Sequence, residues 1–136
     1  MIKSAEQFVW LRTSEDINLY QRAANESANE EIWQAVIEKH PEMRVWVVHN
    51  KTVPIGILDI LSHDQDWRVR HAVAQKHKVG QDILQRLAQD PHESVRLRVA
   101  CNAKTPKIVL EQLLNDQWSE VATKAKNRLQ AEQDHC

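Results

Sequence analysis

Hydrophobic residues recur along the chain at intervals of 26 residues, and within each interval they follow the spacing of short helices. In the central period, Ile83, Leu84 and Leu87 form one i, i+1, i+4 stripe, and Val95 and Val99 belong to a second. The same positions one period earlier and later hold the same residue types: Leu58, Leu84 and Leu110; Leu61, Leu87 and Leu113; Val47, Val73 and Val99. A fixed period of this size predicts a solenoid, in which each helical unit packs on its neighbours.

Turn residues keep the same period and divide each unit into two helices. Pro54, Gly80 and Pro106 open the first helix of three successive periods, with Thr105 as the expected N-cap and Pro106 at the first helical position. Nothing in the sequence predicts strands, and the β-prone residues 45–48 are placed on a helix by the register of Val47 with the later valines. We therefore expect an all-α fold, a right-handed α-solenoid of short paired helices in one domain over residues 1–136. Residues 1–28 are expected to form divergent cap helices, residues 29–129 the repeats, and residues 130–136 a frayed tail.

Aspartate and arginine also recur with the period, six residues apart. The Asp closes a first helix, and its carboxylate can accept from backbone N–H groups at the start of the second helix. It can also accept a bidentate bond from an arginine of its own or a neighbouring unit. Repetition of these bonds predicts a structural Asp–Arg ladder of Arg44, Asp64, Arg70, Asp90, Arg96 and Asp116, which should stop where Ala122 replaces the next arginine.

Paired helices, the turn proline and the string D…VR..VA in residues 64–74 and 90–100 resemble the HEAT-like repeat superfamily. The short period is most similar to the bacterial leucine-rich-repeat variant type, over about residues 30–129. The resemblance implies an α-solenoid that binds proteins; some members bind nucleic acid, and a few longer relatives are DNA glycosylases. The variant type can carry an N-terminal cysteine cluster for an iron–sulfur centre, but this chain has no cysteine before Cys101. We therefore expect no cofactor.

Basic residues concentrate on the predicted second helices and the turns that follow them. These segments hold 12 of the 18 lysines and arginines, although the net charge is only −1. One interpretation is a binding side for an acidic protein or for nucleic-acid phosphates. The other is a solvated face on which the ladder arginines are already paired.

Five tryptophans are many for a chain with one tyrosine and one phenylalanine. Trp10 and Trp33 have apolar neighbours and are predicted to lie in the core, and Trp118 is expected to pack in the last unit. Trp46 and Trp67 fall at positions where the repeat is otherwise variable or polar, which is typical of interface hot spots, although they could also cover grooves between helices. The candidate partner-binding residues are Trp46, Trp67, Arg68, Arg70, His71, Arg96 and Arg98.

Catalysis and metal binding have little support in the sequence. There is no Gly-rich phosphate loop or nucleophile elbow, and the histidines lack metal-ligand spacing, so we predict no catalytic and no metal residues. No apolar run predicts a membrane span or a signal peptide. Cys101 and Cys136 are expected to be free thiols in a cytoplasmic monomer.

The sequence thus predicts a non-catalytic scaffold that docks an acidic or mixed-charge protein on its second-helix side. An inhibitor of the immunity or antitoxin type is one concrete form of this function. The alternative is a nucleic-acid-associated module that uses the basic second helices.

Overall fold

The computed structural model describes residues 1–134, with side chains up to residue 131. All the regular elements in this part of the chain are helices, and the only extended pairing is an isolated bridge between Ile2 and Ala28. The all-α prediction is therefore confirmed. The chain divides into two compact units, Met1–His63 and Asp64–Cys136.

The first unit contains five α-helices: α1 (Ala5–Arg12), α2 (Ile17–Asn25), α3 (Glu30–Lys39), α4 (Arg44–His49) and α5 (Ile55–Leu61). A short 3-10 helix, Pro41–Met43, leads into α4. Helix α1 packs on α2 and α3, and α5 packs on α3 and α4. The core of the unit centres on Phe8, whose ring meets Trp33 edge-on at 5.3 Å between ring centroids. Both residues are fully buried, which fits an N-terminal unit with its own hydrophobic core.

The second unit contains α6 (Trp67–Gln75), α7 (Gln81–Leu87), α8 (Glu93–Cys101), α9 (Lys107–Leu113) and α10 (Ser119–Asp134). Helix α8 packs against α6 on one side and α10 on the other, so that the second helices of three periods lie side by side. The first helices α7 and α9 pack against this row, α7 on α6 and α8, and α9 on α10. The predicted stripes face inward: Leu84, Val99 and Leu110 are fully buried.

One boundary prediction was wrong. The sequence placed Thr105 as an N-cap before a helix beginning at Pro106, but the Thr105 hydroxyl donates to the carbonyl of Val99 at 2.6 Å. Pro106 itself is the cap, with extended backbone, and α9 begins one residue later. Helix α10 extends to Asp134, and the fraying expected from residue 130 stays a prediction. Residues 135–136 of that tail, including Cys136, lie outside the described residues.

Buried Arg–Asp pairs join consecutive helix pairs in the second unit. Arg70 binds Asp90 through Nε and Nη2, at 2.7 and 3.1 Å, and Arg96 binds Asp116 in the same way, at 2.7 and 3.3 Å. Each arginine therefore pairs with the aspartate 20 residues ahead, in the next period, and not with the one six residues before it. It still contacts its own period, because Nη1 donates to the carbonyl of the preceding ladder aspartate, Asp64 or Asp90, at 2.7 Å.

The ladder carboxylates also order the loops before the second helices. Oδ1 of Asp64, Asp90 and Asp116 accepts the N–H two residues ahead at 2.9 Å in each case. In the first unit, the Nε of Arg44 donates to the carbonyl of Ile37 at 2.9 Å. Position 122 is alanine and has no guanidinium to extend the series.

A second periodic set of polar bonds caps the ends of the second helices, and the sequence did not predict it. The Asn102 amide donates to the carbonyls of Ala74 and Lys76, at 2.8 and 3.0 Å, and Arg128 donates to those of Ala100 and Asn102, at 2.7 and 2.9 Å. In the first unit, Asn50 donates to the carbonyls of Ala23 and Glu26 at 2.7 and 2.9 Å. The last carbonyls of a helix have no intrahelical donor, so a side chain from the following second helix satisfies them.

The ladder makes a testable prediction for stability. Replacing Asp90 with alanine leaves the partly buried Arg70 guanidinium without its carboxylate and should lower the free energy of unfolding by about 3 kcal/mol. Urea denaturation, followed by a spectroscopic signal from the second unit, measures the change in the free energy of unfolding. The control is D82A, which removes an exposed carboxylate from α7 and should cost less than about 0.5 kcal/mol. Equal losses in the two variants contradict a structural role for the pair.

The capping set makes a second prediction. Asn102→Ala removes the side-chain donor to the buried carbonyl of Ala74 and the partly buried carbonyl of Lys76, and it removes the acceptor of the Lys104 N–H. The free energy of unfolding should therefore fall by about 2 kcal/mol. The matched control is Asn127→Ala, at an exposed position on α10, which should change it by less than about 0.5 kcal/mol. Thermal denaturation measures the change, and a decrease in Tm no larger than that of the control rules out the capping role.

Candidate functional site

An aromatic cluster occupies the start of α6 and α8. The Trp67 ring stacks on His92, with centroids 4.0 Å apart and planes 12° from parallel, and meets His71 edge-on at 5.9 Å. Nδ1 of His92 accepts the N–H of Ser94 at 3.1 Å, so this imidazole also caps α8 and presents a fixed face to the tryptophan. Trp67 is partly buried by these contacts. The structure thus brings Trp67 and His71 together as predicted candidates, and adds His92, which the sequence analysis did not single out.

Arg98 lies on the same side of the second unit. Its Nε is buried, and no acceptor for the guanidinium occurs among residues 1–131. It lines a cavity of about 190 Å³ with Gln75, His77, Cys101 and Asn102. Burial lowers the pKa of His71, and the positive charge of Arg98 and the nearby His92 lower it further. The charge of Arg98 is therefore available to a ligand rather than neutralised inside the unit.

Arg68 is the most accessible of the predicted cations on α6. Its side chain is 72% exposed, and its Nε lies 3.5 Å from the carboxylate of Asp66. An exposed pair of this kind contributes little to stability, so Arg68 can exchange it for a partner's acid at small cost.

Arg70 and Arg96 leave the candidate binding set. Their side chains are only 14% and 9% exposed, and their donors are used by the ladder. The physical reason is that a buried guanidinium needs all its strong donors satisfied, which ties both residues to the interior.

An open groove of about 360 Å³ runs between α8 and α10. It is lined by Leu97, Ser119, Glu120, Thr123, Lys124 and Asn127. Leu97 supplies the apolar floor at the repeat position that His71 and Thr123 occupy in the neighbouring periods. The sequence analysis did not predict this groove. The one signal for it in the sequence is Leu97, an apolar residue at a repeat position that is otherwise polar.

Trp46 lies in the first unit and contacts an arginine that the sequence analysis did not consider. The guanidinium carbon of Arg12 is 3.3 Å from the centroid of the Trp46 ring and 4.4 Å from that of Tyr20. These contacts place a cation over two aromatic faces, an interaction of about 0.5–2 kcal/mol each. Trp46 is partly buried, so its ring is a support for Arg12 rather than an exposed anchor.

Two predictions about tryptophan burial were wrong. Trp10 was expected in the core with Trp33 but is 57% exposed. Phe8 and Leu11 share the inward face of α1, and Trp10, two residues after Phe8, lies on the opposite face. Trp33 is fully buried, as predicted. Trp118 was expected to pack but is 44% exposed; it occupies the repeat position of His92. Trp118 thus adds an accessible aromatic to the start of α10.

Metal-ligand clusters and membrane-spanning helices are absent from the described part of the chain. No three histidine, cysteine or acidic side chains there are grouped closely enough to hold a metal ion. None of the helices in residues 1–134 is both long and apolar enough to cross a bilayer. Cys101 is a free thiol, partly buried on α8.

The surroundings of His71 predict a measurable decrease in the pKa of its imidazole. Burial and the neighbouring cation disfavour the imidazolium, so the pKa of His71 should lie below its ordinary value, and Arg98→Gln should raise it. Because the folded pKa is the lower one, the associated stability is present above the unfolded pKa and lost as the pH falls through the folded pKa. NMR titration of the imidazole carbon-bound proton measures both proteins. Arg68→Gln is the control, and an unchanged His71 pKa in Arg98→Gln removes Arg98 from its surroundings.

The chain matches no protein-family model, no curated protein and no solved structure.

Proposed function

We propose that this chain is a non-catalytic protein-binding scaffold built of HEAT-like repeats, and that it docks an acidic or mixed-charge protein on the side formed by α6, α8 and α10. The observation that carries the proposal is that Arg98, a partly buried cation on this side, has no acceptor within the described residues. A guanidinium without an internal acceptor can take a partner's carboxylate on its terminal Nη groups, while its Nε stays buried.

The charge distribution supports the same side. Helix α6 has two arginines and no acid, net +2, and α8 has two arginines and Glu93, net +1. Helices α7 and α9 each have one base and one acid, net zero. Since the ladder neutralises Arg70 and Arg96, the accessible charge on these two second helices comes from Arg68 and Arg98. Such a surface speeds the encounter with an acidic partner and fixes its orientation.

Two concave surfaces flank α8 and give a partner shape to fit. Arg98 lines the cavity toward α6, and Leu97 lines the groove toward α10. A segment that places an acid against Arg98 and an apolar side chain over Leu97 would use both. Trp118 and Lys124 extend the surface along α10, with an exposed aromatic of the kind enriched at interfaces.

Nucleic-acid binding is the weaker alternative. A base-stacking platform needs open aromatic faces among its cations, and His92 covers one face of Trp67, the aromatic next to Arg68. The net charge of −1 also gives little non-specific attraction to phosphates.

A right-handed α-solenoid for the whole chain, a cytoplasmic monomer and an inhibitor of the immunity or antitoxin type belong to the same proposal. Their support is the 26-residue period, the polar bonds repeated along it, and the charge of Arg98 on the second-helix side, which has no acceptor among the described residues.

The test is affinity capture from the source organism with the wild type and the double variant Arg98→Glu/Lys124→Glu. The wild type should retain a protein with an acidic surface at physiological salt, and the charge reversals should weaken the complex at least about tenfold in a titration with that protein. Arg98→Glu alone should give most of the loss.

The matched control is Lys107→Glu, which reverses an exposed charge on the first helix α9 and should leave the affinity unchanged. Equal binding by the wild type and the double variant contradicts the proposed side. Salt-dependent retardation of generic duplex DNA by the wild type, abolished in the double variant, would replace the protein partner by nucleic acid.

A further inference from the structure

Arg12 in the first unit is a second cation with no internal acceptor. It ends α1, and its Nε is buried without a hydrogen bond. Within the described residues, its guanidinium takes part in no ion pair either; its only partners are the rings of Tyr20 and Trp46. Arg22, on the adjacent helix α2, is by contrast paired with Glu26. Of these two arginines, Arg22 is neutralised within the first unit and Arg12 is left available.

The two rings fix where the guanidinium lies. Contact of its central carbon with Trp46 at 3.3 Å and with Tyr20 at 4.4 Å restrains a side chain that would otherwise sample many rotamers. A donor group held in place before its ligand arrives loses less entropy on binding. Because the Nε is buried and the side chain as a whole is partly exposed, the terminal Nη groups are the donors that a ligand can reach.

A small cavity beside the guanidinium limits the size of that ligand. Arg12, Tyr20 and Trp46 line it with Ala23, Ala24 and His49, and its volume is about 70 Å³. Sites for cofactors or drug-sized ligands are several times larger, roughly 300–1,000 Å³. The space fits the end of a side chain rather than a whole small molecule.

We propose that Arg12, positioned by Tyr20 and Trp46, binds the side-chain carboxylate of an aspartate or glutamate in a protein partner. The two Nη groups of a guanidinium match the two oxygens of a carboxylate in a planar, bidentate arrangement. A single arginine among aromatic and alanine side chains balances one negative charge. A phosphate carries more charge and more acceptor oxygens, and sites for it gather several donors.

This site goes beyond the surface proposed on α6, α8 and α10, because it lies in the other compact unit and uses none of the same residues. It was hidden in sequence because Arg12 and Trp46 lie in different helices and share no repeat position. Its failure would leave the charge-reversal result on α8 and α10 unaffected, and the reverse is also true.

The experiment is an NMR titration of the full chain, labelled with nitrogen-15, with blocked aspartate (N-acetyl-aspartate N-methylamide) at constant ionic strength. The Arg12 Nε–H and Trp46 indole N–H signals should shift and saturate, with a dissociation constant on the order of millimolar for one bidentate contact. Blocked asparagine, which has the same shape without the charge, should bind at least about tenfold more weakly.

Variants assign the effect to the guanidinium. Arg12→Gln should abolish saturation of the Trp46 signal, and Arg12→Lys, which keeps the charge but not the planar pair of donors, should weaken binding several-fold. Arg86→Gln, which removes an exposed arginine of α7 in the other unit, should leave the titration unchanged. The backbone spectrum of each variant reports whether it is folded.

Three results would overturn the proposal, and all three are measured with the wild type. One is the absence of saturable shifts with blocked aspartate, and another is an equal response to blocked asparagine. The third is tighter binding of inorganic phosphate than of blocked aspartate, which would assign the site to phosphate groups.

Discussion

The second unit depends on buried ion pairs between consecutive helix pairs. Arg70 with Asp90 and Arg96 with Asp116 each connect a second helix to the loop that begins the next one. Burying two charges is costly, so such a pair stabilises a structure only when the remaining donors and acceptors are also bonded. That condition is met here, because each arginine also donates to a backbone carbonyl and each aspartate also accepts a backbone N–H. The pairs therefore fix the register of one period against the next, which the apolar stripes alone would not do.

Hydrogen bonds and ion pairs inside the protein also determine which arginines are available to bind a partner. The ladder arginines and the capping residues Asn102 and Arg128 are directed inward by bonds to carbonyls and carboxylates. Arg12 and Arg98, by contrast, have buried Nε groups that find no acceptor among the described residues. The distinction between structural and available arginines is thus a matter of partners rather than of position on a helix, and it is why the proposed functions rest on the two unpaired ones.

Local periodicity predicted the helices, the inward stripes and the residues of the ladder, because all of these depend on spacing along one helix or one repeat. It did not decide whether Arg70 pairs with Asp64 or with Asp90, since the two aspartates occupy the same position in successive periods. The capping residues are Asn50, Asn102 and Arg128, and this mixture of residue types conceals their shared role. The contact between Arg12 and Trp46 joins helices far apart in sequence, and the exposure of Trp10 and Trp118 depends on helix faces that apolar neighbours did not reveal.

A double-mutant cycle on Arg96 and Asp116 tests most directly whether these pairs hold the second unit together. The free energies of unfolding of the wild type, Arg96→Met, Asp116→Ala and the double variant give the coupling between the two side chains. A buried, bidentate pair predicts a coupling of about 2 kcal/mol, with the double variant more stable than the sum of the single losses implies. A coupling below about 0.5 kcal/mol, as expected for an exposed pair such as Arg68 and Asp66, would contradict the account.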